Sequence, residues 1–152
     1  MWVTLTTTVE TDVAADTIRR GLLDFSEERP NRWPTLDPET YQVHWVAETS
    51  AEIIEGSPFP KVRSRERYDW SHPTTITWTA QESNFCTPGS HISMDIQPTP
   101  SGESTVAVTW DRTAANGRGR LNLAVIRLGG RRLLRWATEK SLVDVAGSYG
   151  DL

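Results

Sequence analysis

Glu66 is the residue of this chain best placed for acid–base chemistry. It shares its alternation with Val62, Ser64, Tyr68 and Trp70, while Arg63, Arg65 and Arg67 hold the opposite parity. Three arginines in alternation will not all turn inward unpaired, so the Glu66 side is the interior one. A carboxyl group in apolar company has its pKa raised, as a general acid or base near neutrality requires. The plainer reading of Glu66 is an arginine-paired carboxylate near a strand end, since structural ion pairs also perturb titration. His91 is the second catalytic candidate. It lies on one strand face with Asp95, either side of Ser93. The two would form an acid–base pair if that face lined a cavity, but Ile92, Met94 and Ile96 make the opposite face the hydrophobic one.

The remaining reactive side chains point to less. His44 falls on a polar strand face and His72 in a turn. With no helical i, i+4 histidine pair and no cysteine cluster, no metal site is expected. Cys86 is the one cysteine, with no basic neighbour in sequence to activate it, and reads as a small buried thiol. Gly117-Arg118-Gly119-Arg120 is too short for a phosphate loop and lacks the Lys-Ser/Thr ending. No cofactor is expected.

Seven tryptophans are many for 152 residues. They are either ordinary strand aromatics filling a modest core or the walls of a wide cavity for a flat, greasy ligand. Strand parity selects Trp45, Tyr68, Trp70, Trp78, Met94 and Trp110 as interior residues, joined by Trp136 from the last helix.

Composition bounds the alternatives. The net charge of −4 and the lack of a basic block outside the C-terminal helix argue against nucleic acid. No run approaches the roughly 20 apolar residues of a membrane span, and the N-terminus has no signal-like apolar core. A single cytoplasmic domain over residues 1–152 is expected, without stable membrane insertion and with its oligomeric state open. The arginine-rich side of the last helix reads as a solvated face or as an attraction for an anionic partner or acidic membrane surface.

The elements that must position these residues follow from periodicity. Trp2–Glu10 alternates as a half-buried strand. Ala14, Ile18, Leu22 and Phe25 mark one face of a helical stretch over about Val13–Asn31, with Asp12 and Asp16 placed for a cap and first-turn acid. Pro30 and Pro34 bracket Trp33. From Tyr41 to Arg112 alternating segments are separated by turn signals at Gly56–Pro60, Ser71–Pro73, Thr87–Gly89 and Pro98–Gly102, which favours hairpins over βαβ units. Leu121–Ala146 reads as a long helix, with Leu121, Val125, Leu128, Leu133, Trp136 and Leu142 apolar. Gly129-Gly130 interrupts it, through close packing, a kink, or room for a ligand beneath.

The strand-to-helix segment from Val9 to Ile18, the connector Arg32-Trp33-Pro34-Thr35-Leu36-Asp37-Pro38, the turn Pro100-Ser101-Gly102-Glu103-Ser104-Thr105-Val106 and the closing helix resemble the helix-grip superfamily. That superfamily includes Bet v 1-like, START-like and polyketide cyclase/dehydrase proteins. Ala15 stands where a proline is common. The resemblance implies an α+β fold with a curved antiparallel sheet of six or seven strands around the C-terminal helix and two short helices near 13–36. It implies a hydrophobic small molecule as partner: aromatic, polyketide-like or lipid. Two alternatives stand beside binding: polyketide cyclase/dehydratase-type catalysis through Glu66 or His91, and a cavity-free protein-interaction module.

Overall fold

In β1 (Trp2–Thr11) Val3 and Val9 are buried, Leu5 and Thr7 half-buried, and the intervening residues exposed. That alternation recurs along the computed structural model, which describes residues 1–59 and 61–150. Strands β2 (Gln42–Val46), β3 (Ser50–Ser57), β4 (Val62–Asp69), β5 (Thr75–Ser83), β6 (His91–Pro98) and β7 (Ser104–Thr113) follow as hairpins. They form one seven-stranded antiparallel sheet in the order β1-β7-β6-β5-β4-β3-β2. Its register puts Ile53 opposite Glu66, Tyr68 opposite Trp78, Trp78 opposite Ile92, and Ile92 opposite Trp110, so these residues share one face. Arg65 and Arg67 lie on the other face, where both reach Glu52 at 3.2 and 3.1 Å, and Arg63 is exposed.

Between β1 and β2 the expected helical stretch is divided into α1 (Ala15–Leu22) and the single turn α2 (Arg29–Arg32). The Asp24 carboxylate accepts from Ser26 N at 3.1 Å and Ser26 Oγ at 2.6 Å, an aspartate turn that competes with helix and ends it. Asp12 does not cap α1. Ala14 holds that place without a side-chain bond, and Asp16 lies in the first turn.

The closing helix α3 (Gly117–Tyr149) begins four residues before Leu121 because the Asn116 side chain accepts from Gly119 N at 2.9 Å. Gly130 breaks it, at φ 55° and ψ −144°. Nothing lies within 4 Å of where a Cβ on Gly130 would sit, so backbone conformation and not close packing requires the glycine. Beyond the kink Leu134, Thr138, Leu142, Val145 and Tyr149 are buried, at helical spacings of three and four. Ahead of it only Gly119 and Leu123 are buried, while Leu121, Val125 and Leu128 face outward.

Two interior assignments are corrected. Trp136 lies two residues, about 200°, from Leu134 around the helix and is 59 % exposed. Trp45 is 39 % exposed because β2 carries a bulge: Val43 pairs with Ile53 but Trp45 pairs with Glu52, leaving His44 as the extra residue. One inserted residue reverses the parity, so Trp45 joins the outer face under the Arg67 guanidinium, 5.8 Å from its ring.

Gly130→Ala should therefore lower stability by about 1–3 kcal/mol, because it forces an L-residue into a region that is almost glycine-only. Gly147→Ala, at an open helical position, should be neutral or stabilise by up to about 1 kcal/mol. Urea denaturation of the two variants checks the contrast. Equal stability of Gly130→Ala and the wild type would mean that α3 is straight.

Candidate functional site

The inner faces of β4 to β7 and the second half of α3 do not close completely on each other. They leave a cavity of about 220 Å³. Tyr68, Trp78, Ile92, Met94, Val108 and Trp110 form its sheet wall, each brought there by strand parity. Ala137, Thr138 and Ser141 approach from α3, and Leu22, Arg29, Trp33, Thr35 and Leu36 close the near end. Thr138 spends its hydroxyl within the helix, donating to Leu134 O at 2.8 Å. Trp33 fixes its ring by donating from Nε1 to Gly21 O at 3.1 Å. The α3 wall is thus mostly small, and the sheet wall is half aromatic and half aliphatic.

Arg29 and Glu55 are the charged members of this lining, and Arg29 is buried. The Arg29 Nη1 donates to Leu22 O at 2.9 Å and Asp24 O at 3.0 Å, the carbonyls that the end of α1 leaves free. Its Nη2 donates to Tyr68 Oη at 3.0 Å and to Glu55 at 3.3 Å. Tyr68 in turn donates to the second oxygen of Glu55. The Phe25 and Tyr68 rings each lie 5.5 Å from the guanidinium carbon and Trp33 lies 6.0 Å from it. Burial pushes the guanidinium pKa down, but Tyr68 and Glu55 overcompensate and the net shift is upward. The Tyr68 hydroxyl is pushed well up, by burial first and by Glu55 second. Nε of Arg29, although buried, has no hydrogen-bond partner among the described residues. Sequence reading passed over Arg29. The available signal was Glu55, an acid on the interior parity of β3 with Ala51 and Ile53, which requires a cation opposite.

Glu66 is buried as its parity requires. It lines a recess of about 230 Å³ that shares Thr35, Leu36, Glu55 and Trp78 with the cavity. Burial, helped by Glu55 and opposed by Arg112 across the recess, raises its pKa to about 7. His91 is elsewhere. It is half-buried, its Nδ1 lies 3.2 Å from Gly89 O, and it borders only a void too small for a water molecule. The His91–Asp95 pair does not form. Asp95 is engaged by Thr74 Oγ1 at 2.6 Å and Thr75 Oγ1 at 3.0 Å. Trp70 stacks on Phe25 at 5.7 Å, behind Tyr68, and does not line the cavity. Trp45 and Trp136 are outside it too, so the expected wall reduces to Tyr68, Trp78, Met94 and Trp110. Among the described residues no three His, Cys, Asp or Glu side chains could hold a metal together, and no helix is long and apolar enough to cross a membrane.

No protein-family model matches the sequence, and neither does any curated protein. Solved structures are similar over nearly the whole chain. A START superfamily protein from Mycobacterium smegmatis superposes with a TM-score of 0.70 at 16% identity, over 97% of this chain and 97% of that one. An aromatase/cyclase from a Streptomyces strain gives 0.73 at 11% identity, over 99% and 94% of the two chains. A truncated norcoclaurine synthase from Thalictrum flavum gives 0.64 at 11% identity, over 95% and 91%. The chain has the helix-grip fold, and at these identities the likeness is one of fold.

The site makes two stability predictions. Glu66 has a raised pKa when folded, so its protonated form is favoured below about 4.5 and that stabilisation is lost as pH rises through about 7. Glu66→Gln should therefore gain up to about 3 kcal/mol over the wild type at pH 8 and little at pH 4.5. Denaturant midpoints across this range measure it, and a loss at pH 8 would mean that attraction to Arg112 dominates. Arg29→Met should cost about 3–5 kcal/mol, because it strands Glu55, and Arg29→Met with Glu55→Leu should recover most of the loss. Additive losses in that double-mutant cycle would contradict the coupling.

Proposed function

We propose that the chain, acting as one domain, binds a small, flat, largely apolar molecule carrying an oxygen acceptor, in the cavity between sheet and α3. The observation that carries this reading is the cavity's asymmetry: aromatic and aliphatic walls end at a buried guanidinium. A carbonyl, phenolate or carboxylate oxygen is the natural complement to that positive charge, and Trp78 and Trp110 offer ring faces for the ligand body. At about 220 Å³ the space is below the roughly 300–1,000 Å³ of drug-sized sites, so one or two fused rings fit before the walls must move. The fold, shared with a START protein and an aromatase/cyclase, is consistent with an aromatic or polyketide-like ligand. A filled interior serving only protein interaction accords poorly with the open cavity.

Glu66 favours a second reading, cyclase/dehydratase-type catalysis. A carboxyl with a pKa of about 7, in a recess that shares Glu55 and Trp78 with the cavity, can take up and return a proton at neutral pH. Arg29 would then polarise the substrate oxygen while Glu66 moves the proton. In this reading the pH profile of turnover bends near 7, and Glu66→Gln abolishes turnover while leaving affinity in place. In the binding reading Glu66→Gln changes neither.

Titration with 2-naphthol or 1-naphthoate should quench or shift tryptophan emission, and Trp78→Phe and Trp110→Phe should each remove part of that change. Naphthalene itself should bind at least tenfold more weakly than the oxygenated probes, for want of a partner for Arg29. Unchanged emission in the wild type, with binding shown by calorimetry, would place the ligand elsewhere.

A further inference from the structure

The first half of α3 has a composition that the cavity does not explain. Residues 117–135, the half of α3 before the Gly130 kink and the first turn or so beyond it, contain Arg118, Arg120, Arg127, Arg131, Arg132 and Arg135 and no aspartate or glutamate, in a chain whose net charge is −4. All six arginines are exposed, and among the described residues only Arg135 makes an ion pair, with Glu139 at 2.9 Å. Between them runs an apolar stripe, Leu121, Val125 and Leu128, across the helix from buried Leu123. Leu121 is 71 % exposed and Leu128 89 %. Arg118 Nη1 donates to Lys61 O at 3.2 Å, which ties the β3–β4 turn to the start of α3. Phe59 at that turn is 94 % exposed. Three apolar protrusions at helical spacing thus stand among guanidinium groups on the exposed side of α3, and the turn that carries exposed Phe59 is tied to its start.

We propose that this surface, the first half of α3 with the β3–β4 turn, docks the protein reversibly on an anionic lipid bilayer. The charge identifies the occupant as anionic, since each exposed arginine gains from a negative surface potential and nothing on its own helix segment neutralises it. The shape identifies it as a bilayer. Leu121, Leu128 and Phe59 project from a convex helix and a turn instead of lining a groove, and a bilayer accepts projecting apolar side chains without shape complementarity. Arginine stems suit the headgroup boundary, keeping their charge in the phosphate layer while their methylenes lie against the acyl chains. The kink at Gly130 gives the docking half its separate orientation, so its apolar stripe faces away from the sheet while the second half of α3 stays packed. Ala137 and Thr138, on the cavity wall, follow this segment directly, so docking brings the bilayer close to the cavity. The inference does not depend on what the cavity holds.

Flotation of the full chain with vesicles tests it. Phosphatidylcholine vesicles carrying roughly three parts phosphatidylglycerol in ten should carry the protein up, pure phosphatidylcholine vesicles should not, and binding should fall as salt is raised. Arg127→Glu with Arg131→Glu should weaken partitioning by at least about twenty-fold, at about fivefold for each arginine lost. Leu121→Ser with Leu128→Ser should weaken it by at least about tenfold with every charge retained. These side chains are exposed, so circular dichroism and melting of both variants should match the wild type, and naphthoate binding should be unchanged. No flotation with anionic vesicles, equal flotation with neutral ones, or indifference to the leucine pair would overturn the proposal. Retention on immobilised poly-glutamate without vesicle binding would assign the surface to an acidic protein and overturn it too.

Discussion

The end of the cavity under α1 and α2 is arranged around one buried guanidinium. Removing the charge of Arg29 from water costs several kcal/mol unless its donors are met. The chain meets four of the five by converging on it: the loose carbonyls of Leu22 and Asp24 after α1, Tyr68 from β4 and Glu55 from β3. The aromatic rings around it supply the low-dielectric surroundings in which those contacts are strong. This one group therefore fixes the end of α1, the single turn of α2 and the middle of the sheet relative to one another. It also leaves one donor over.

The two inward carboxyl groups show how position on one sheet face divides their roles. Glu55 is held by Arg29 and Tyr68 and completes the charge balance of the cluster. Glu66 lies on the neighbouring strand, is buried like Glu55's partners, and has only Arg112 across the recess in its favour. The field of Glu55 adds to burial in keeping its proton on at pH values where an exposed glutamate is ionised. A structural ion pair thereby tunes a neighbouring group that could take part in chemistry.

The strands were legible because alternation is a local signal. Three arginines on one parity of β4 oriented Glu66 and Tyr68 correctly, and the aliphatic parities of β6 and β7 did the same for Met94 and Trp110. What sequence reading missed involves a phase change or a distant partner. The bulge at His44 reverses parity within β2 and carries Trp45 outward, and no residue type at that point announces it. The glycine pair signalled an interruption in α3, but only the positive φ of Gly130 says how the face of the second half is reset, and with it the outward aim of Trp136. Arg29 was passed over because its partners Glu55 and Tyr68 lie 26 and 39 positions away.

The bulge in β2 bears on how the molecule meets its own copies. An open seven-stranded sheet ends in two strands with unpaired backbone, and a long, flat, apolar edge there would be a template for chain-to-chain addition. β2 is only five residues long, its ladder is broken at His44, and the tryptophan that would have made it greasy lies under a charged guanidinium. A second chain would find neither continuous register nor a dry strip to pair with. The same inserted residue that removed Trp45 from the cavity wall thus makes this edge a poor nucleus for aggregation.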